Sequence, residues 1–185
     1  MTQEYSFRTC SFNTERLKVS NVLSVLNQSI SEAELSDVAF KILTPNVTQS
    51  LPPEFQSVQC VESANKWINE MVTNSHFLII QQSESHQIIG FIFFYVSSPK
   101  ESGSNVHIGY LLDERFWGKG YANEFMEGLI EWCNRSQLVS KLLGGVDVGN
   151  AQSIKLLQNN GFKEATGDSP DGVVFYERSF VNVEL

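Results

Sequence analysis

The sequence predicts an α+β (mixed α/β) fold, with a mixed and mostly antiparallel sheet of six or seven strands flanked by helices. Three observations carry that expectation. The first 75 residues show helical periodicity broken by only one short extended stretch. Three apolar segments, 76–81, 88–96 and 106–112, then follow one another across short loops, which is the pattern of an antiparallel meander. The third segment runs through Gly118, Lys119 and Gly120 into a helix and on to another apolar strand. A strand–helix–strand unit of that length pairs its two strands in parallel.

Taken in order, residues 1–13 read as a loose lead-in to a single domain that runs to residue 185. A short strand over 15–19 puts Leu17 and Val19 on one side. Asn21 is placed to cap a helix carrying Val22, Leu23, Val25 and Leu26. Ser31 opens a second helical run with Leu35, Val38, Ala39, Ile42 and Leu43, which Pro45 stops, leaving 46–53 as a loop. From Gln59 to Ser75 the chain is helical again, with Val61, Ala64, Trp67, Ile68, Met71 and Val72 at 3–4 spacing.

Residues 88–96 are apolar at nearly every position, so this strand is expected to be covered on both faces and to lie centrally. The strand over 106–112 alternates, with Val106, Ile108, Tyr110 and Leu112 on one face and His107 on the other. After the glycine turn, residues 121 to 133 repeat apolar positions about every four, a helix of about five turns that includes Trp132 and Cys133. Residues 141–148 form the next strand. Asn150 then caps a helix with Ile154, Leu156 and Leu157 inside, and Gly161 ends it. Short extended runs at 162–165 and 173–180 complete the chain, the second hairpinned on the first.

Composition narrows the function classes. Apolar content of 42% is ordinary for a globular domain. No apolar run approaches the roughly 20 residues that cross a bilayer, and the N-terminus lacks the basic-then-apolar order of a signal peptide. Cys10, Cys60 and Cys133 are widely spaced, without metal-ligand spacing, which suits free thiols in a reducing cytoplasm. A formal charge of −8 argues against a nucleic-acid backbone as partner and suits a cationic substrate.

The glycine turn is where chemistry is expected. The first turn of a helix has N–H groups without helical partners and carries partial positive charge. Gly118 and Gly120 let an anion approach those amides, and Lys119 adds a mobile positive charge. The same glycines would also serve a connection that merely bends.

At this point the chain resembles the GNAT superfamily of acyl-CoA N-acyltransferases, and most closely its branch of RimJ/RimL ribosomal-protein N-acetyltransferases. The superfamily's phosphate loop, Arg/Gln-x-x-Gly-x-Gly/Ala, reads here as Arg115-Phe-Trp-Gly118-Lys-Gly120. The branch extends it as Trp117 to Ala122 followed by Glu124. A second stretch, from Asn150 through Ser153, Leu156 and Leu157 to Gly161 and Phe162, resembles the branch's Asn-x-x-Ser-x-x-Leu-Leu-x-x-x-Gly-Phe. A third, Thr14-Glu15-Arg16-Leu17, resembles its opening strand.

The resemblance implies a sheet splayed between its fourth and fifth strands, 106–112 and 141–148. Acetyl-CoA would be the cosubstrate. Its pantetheine arm would lie in that gap along Gly109, Tyr110, Leu111 and Leu112 like an added strand. Its pyrophosphate would sit on the amides of Phe116, Trp117, Gly118, Lys119, Gly120, Tyr121 and Ala122. The implied acceptor is a primary amine, either a protein N-terminus or a small molecule, and the implied assembly a monomer or homodimer.

Transfer to an amine asks three things of the residues. The amine, with an ordinary pKa of about 8 to 10, must lose a proton. The oxyanion needs a donor, and a backbone N–H on the 106–112 strand is the natural one. The leaving thiolate gains from a nearby acid. Many superfamily members place a Tyr four residues before the helix-ending Gly, where this chain has Leu157. The branch instead offers Ser153 as candidate acid, with Asn150 as a hydrogen-bonding residue toward pantetheine or substrate. Both residue types also cap helices. His107 is the candidate base, and it would serve equally as a solvent-facing residue. Glu62 and Glu101 are acids near loops that could face an amine, and a water chain could take the same part. His76 and His86 bound strands at turns, a surface position.

Two other readings stay open. A dinucleotide-binding module would need Gly or Ala where Asn123 stands and a parallel opening unit in place of helices. A non-catalytic acyl-CoA-binding domain would need no acid or base at all.

Overall fold

Eight strands form one sheet in the order β1-β2-β3-β4-β5-β6-β8-β7. The computed structural model describes residues 7–26, 28–98, 103–167 and 169–180. The strands are β1 (Ser11–Asn13), β2 (Leu17–Asn21), β3 (His76–Gln82), β4 (Ile88–Ser98), β5 (Ser104–Leu112), β6 (Val139–Asp147), β7 (Lys163–Glu164) and β8 (Val173–Ser179). Every neighbouring pair is antiparallel except β5 and β6. The helices are α1 (Val22–Val25), α2 (Glu32–Ile42), α3 (Pro45–Thr48), α4 (Val61–Asn74), α5 (Tyr121–Ser136) and α6 (Ala151–Asn159).

The sheet separates two apolar cores. One lies under α5 and α6 and takes Ile92 and Phe94 of β4, Ile108 and Leu112 of β5, and Phe125, Leu129 and Leu157 of the helices. The other lies under α1 to α4 and takes Phe91 and Phe93 of β4, Leu111 of β5, and Leu35, Trp67 and Met71. Strand β4 feeds both, which is why it is apolar at almost every position. Each fully buried Phe contributes about 1.5–3 kcal/mol of transfer free energy. Trp67 is ringed by Phe55, Phe77, Phe91 and Phe93 at centroid distances of 5.7 to 5.8 Å.

Local chemistry sets the helix starts. Asn21 caps α1 by accepting from the Leu23 N–H, and Ser31 with Glu34 forms a full capping box on α2. Pro45 does not simply stop α2. Thr44 caps the amide of Val47, and Pro45 opens the single turn of α3, where its missing N–H costs nothing.

The sheet has one strand more at its N-terminal edge than the sequence suggests, and a different order at its C-terminal edge. Ser11–Asn13, expected in the loose lead-in, pairs with β2, and Phe7, Cys10 and Phe12 are buried. Residues 1–6 and Glu101 lie outside the described residues. At the other end β8 pairs with β7 as a hairpin, but it also slides between β7 and β6, pairing with β6 along seven positions. The first strands form an antiparallel meander rather than a parallel opening unit, so a dinucleotide-binding topology is excluded.

Candidate active site

Strand β5 is zipped to β4 from Val106 to Leu112, but to β6 only over Ser104 to His107. Beyond His107, β5 and β6 part and leave a seam. The Asp113 N–H donates to the Ile89 carbonyl at 2.8 Å. Alternate residues of an antiparallel strand turn their main-chain groups to the same side. Asp113, Leu111 and Gly109 therefore bond toward β4, whereas Tyr110 and Leu112 present theirs to the seam. The Leu112 carbonyl accepts from the Trp117 indole Nε1 at 2.9 Å. The N–H and C=O of Tyr110 and the N–H of Leu112 are left facing the gap. Gly109 and Leu111, expected to hydrogen-bond an added strand, line that edge instead, because their main chains are committed to β4.

After β5, Asp113 accepts from the Arg115 amide and ion-pairs with its guanidinium at 2.5 Å, starting a 3₁₀ turn over Glu114–Phe116. The Phe116 and Trp117 amides are spent inside this turn, on Asp113 and Glu114 carbonyls at 2.9 and 3.2 Å. They are therefore withdrawn from the anion site expected over 116–122. From Gly118 to Ala122 the amides have no hydrogen-bond partner among the described residues. Gly118 and Gly120 adopt φ of 70° and 83°, the left-handed region open to glycine. A Cβ on Gly118 would meet nothing within 4 Å, so it is the backbone turn, not crowding, that calls for glycine there. Gly120 is the N-cap of α5 and has no side chain to satisfy its first turn. The contrast is informative: α1, α2, α3 and α6 are capped by side chains, the start of α4 is tied by the Ser63 hydroxyl accepting from the Cys60 N–H at 3.0 Å, and α5 has neither device. An uncapped helix start with glycine beside it accepts an anion. Lys119 is less free than expected. Its ammonium donates to the Arg115 carbonyl at 2.8 Å and lies 5.3 Å from the centre of the Phe116 ring.

Two distant segments brace this loop. The Glu124 carboxylate accepts from the Thr14 hydroxyl at 2.5 Å and from the Arg16 amide and Nε at 2.7 Å each. Arg16 also donates to the Lys119 carbonyl at 3.2 Å and lies 4.3 Å over the Tyr121 ring. Burial pushes the Glu124 carboxyl up, but the bonds from Thr14 and Arg16 outweigh it and hold it below its ordinary value. On the other face Glu114 accepts from Thr44 and Asn46 at 2.8 Å each. Sequence reasoning noticed Thr14 to Leu17 and Glu124 as a likeness but missed what they do, which is to hold the glycine turn.

Helix α6 brings the second motif to the seam. Asn150 Oδ1 accepts from the Ser153 N–H at 3.1 Å, so Asn150 is the cap and its Nδ2 is not used in capping. Ser153 is capped rather than capping, and its hydroxyl is left for other work. Leu157 is fully buried, packing over Gly144 and Ile108, so no phenol occupies that helix position. Asn160 ties α6 back to α5 through Asn123 at 2.9 Å.

His107 lies on the opposite face of the sheet, at the last residue of the β5–β6 pairing. It is half-buried, with its ring edge-on to Phe175 of β8 at 6.1 Å and 89°. Phe175 reaches it across Gly145, where a Cβ would come within 2.9 Å of the ring. No hydrogen bond joins the His107 ring to another described residue. The seam thus has Ser153 on one face and His107 on the other. Glu62 sits in the first turn of α4, exposed, and is held below its ordinary pKa by the amides and side chains at its own helix start. His86 is exposed in the β3–β4 turn, and His76 stacks on Phe7 at 5.3 Å.

The family model described as "Acetyltransferase (GNAT) domain" matches residues 27–163. The chain belongs to the GNAT acetyltransferase family. Among curated relatives, "Uncharacterized N-acetyltransferase p20" of Bacillus licheniformis is 28% identical over 155 residues, spanning 82% of this chain and 81% of the relative. Among solved structures, the RimL ribosomal L7/L12 alpha-N-protein acetyltransferase in complex with coenzyme A superposes with a TM-score of 0.67 at 18% identity, over 90% of this chain and 96% of that one. The microcin C7 self-immunity acetyltransferase MccE, in complex with acetyl-CoA and AMP, gives 0.68 at 16%, over 90% and 93%. At such identities the likeness is one of fold alone.

Proposed function

We propose that this chain is an acetyl-CoA-dependent N-acetyltransferase that moves an acetyl group onto a primary amine by direct attack on the thioester. One observation carries the reading: an extended edge with free main-chain groups, at Tyr110 and Leu112, leads to the uncapped and glycine-opened start of α5. An edge followed by an anion cradle suits a ligand with a peptide-like arm and a diphosphate. Acetyl-CoA supplies the activated acyl carbonyl. The chain supplies position and hydrogen bonds. The amides from Gly118 to Ala122 hold the diphosphate, and the Tyr110 main chain and Asn150 Nδ2 fix the arm. A seam N–H of β5 is the donor toward developing negative charge. Ser153 Oγ faces the leaving sulfur from the α5–α6 side, while the amine enters from the α2–α4 side past His107, which takes its proton.

Support for an amine acceptor comes from the family and from the net charge of −8, which favours cations. RimL acts on a ribosomal-protein α-amine, and we extend that class here to peptide N-termini alongside small amines. The three cysteines are free, which suits a reducing cytoplasm, and no helix among the described residues is long and apolar enough to cross a membrane. We place no nucleic acid among its partners and expect a monomer or homodimer.

The test is release of free CoA from acetyl-CoA, corrected for hydrolysis, across amines, polyamines, amino sugars and peptides with free N-termini. Amine-dependent release is expected. Failure of saturating acetyl-CoA to bind at the α5 turn would overturn the reading. Ser153→Ala should lower turnover by about ten- to a thousandfold while acetyl-CoA affinity holds. Unchanged turnover would remove Ser153 from the chemistry, and binding without turnover in the wild type would leave an acyl-CoA-binding domain.

A further inference from the structure

Within the seam, one side-chain hydroxyl is buried without a hydrogen bond among the described residues, that of Tyr110. Leaving such a group unpaired is costly, so its place calls for a reason. Strand alternation puts the Tyr110 ring on the α5–α6 side, against Phe125 at 5.5 Å. Ile108, two residues earlier on that face, lies beneath Leu157, since a Cβ on Gly144 would stand 3.2 Å from Leu157 Cδ1 and 3.8 Å from Ile108 Cγ1. Helix α6 follows β6 and returns over the sheet, so it runs against the direction of β5. One turn before Leu157 is Ser153, and two residues beyond Ile108 is Tyr110. The two hydroxyls therefore face each other across the open seam. Burial pushes the Tyr110 phenol up to about 12; the Ser153 hydroxyl does not meet hydrogen-bond geometry with it here, but lies near enough to draw that value partly back. The phenol is thus a standing O–H donor at neutral pH. The Ser153 N–H is already bound by Asn150, which pins this turn of α6 in place.

We propose that Tyr110 is a positioning residue for departure of the thiol: its hydroxyl donates to Ser153 Oγ and so turns the Ser153 O–H toward the sulfur of the CoA thioester. The inference rests on the acetyl-CoA reading above. In the step, the amine nitrogen bonds to the acetyl carbon and the carbon–sulfur bond breaks with its electron pair on sulfur. The amine's proton passes to His107 or water. Tyr110 and Ser153 keep their protons and meet the new charge with hydrogen bonds, because a phenol this weakly acidic does not surrender its proton to a thiolate.

The experiment is a titration of CoA bound to wild type and to Tyr110→Phe, which keeps the ring on Phe125. Thiolate absorbance is followed against pH, and a difference spectrum with desulfo-CoA cancels the protein's own cysteines. The bound thiol should ionise about one pH unit lower in the wild type than in Tyr110→Phe. In turnover, Tyr110→Phe should lower kcat about tenfold at unchanged KM for acetyl-CoA, with no further loss in a Ser153→Ala background. CoA that binds both proteins with the same thiol pKa would overturn the role of Tyr110 and leave the acetyl-CoA site standing. An equal loss from Tyr110→Phe with and without Ser153 would also overturn it. Absence of CoA binding to the wild type would overturn the acetyl-CoA reading, and this inference with it.

Discussion

Removing the Glu124 carboxylate should disable the anion site without touching it. Glu124→Ala deletes the acceptor for the Thr14 hydroxyl at 2.5 Å and for the Arg16 amide at 2.7 Å. Each such bond is worth about 0.5–1.5 kcal/mol net, so the two supply about 1–3 kcal/mol. The Glu124 side chain is 14% exposed but the Arg16 side chain is 44% exposed. The guanidinium is left out of the sum, because solvent screening takes most of the worth of an exposed pair. A loss of about 2 kcal/mol should lower the Tm of a chain this size by about 4–8 °C. Freed from Arg16, the 118–120 turn loses its fixed geometry, and the Kd for acetyl-CoA should rise about tenfold. Thermal unfolding by circular dichroism and calorimetric titration measure the two effects. The pH dependence is a further check. The folded Glu124 pKa lies below its ordinary value, so the unfolded chain takes up the proton first as pH falls. The contribution is full above the unfolded pKa of about 4.3 and is lost as pH falls through the folded one. The stability gap between wild type and Glu124→Gln should thus be level from about pH 6 to 8 and close below about pH 4. A Glu124→Ala protein that melts and binds acetyl-CoA like the wild type would refute the argument.

Three more perturbations probe other parts of the site. Gly118→Ala forces a side chain into a φ of 70° with open space around it, costing about 1–2 kcal/mol, and should weaken acetyl-CoA about tenfold. Wild-type affinity by calorimetry would place the diphosphate elsewhere. Gly90→Ala puts a methyl 2.4 Å from the Leu111 carbonyl oxygen, so β4 and β5 must separate, and the denaturant midpoint should drop by the equivalent of about 1–3 kcal/mol or more. His107→Gln should cut kcat about a hundredfold and flatten the acid limb of the kcat/KM profile, whereas an unaltered profile would assign the base to water.

Much of the fold is legible because it is written in neighbours. The caps at Asn21, Ser31 and Asn150 act on amides two or three residues away, and the glycine turn before α5 acts within its own few residues. The alternation of β5 and the four-residue repeat of α5 record which side of each element meets a core. From these, the α+β class and the parallel β5–β6 crossover follow without coordinates, and so does the glycine turn that opens α5. The strand at Ser11–Asn13 escaped because three residues carry too little periodicity to stand out from a loop. The single turn at Pro45 escaped because the same proline that ends one helix can start another.

What only the tertiary structure decided lies between residues far apart in the chain. Thr14 and Arg16 grip Glu124 across 110 and 108 positions, and no local pattern announces a pair at that separation. The insertion of β8 between β6 and β7 depends on the edge of β6 that β5 does not cover, a partner distant in the chain. The parting of β5 from β6 leaves Tyr110 opposite Ser153, with His107 on the other face, because sheet faces and crossing helices set which side chains converge. A sequence states what each segment can bury and hydrogen-bond by itself. Which segment answers it is settled when the surfaces meet, and that is where this protein's glycine turn acquires its brace and its seam acquires two facing hydroxyls.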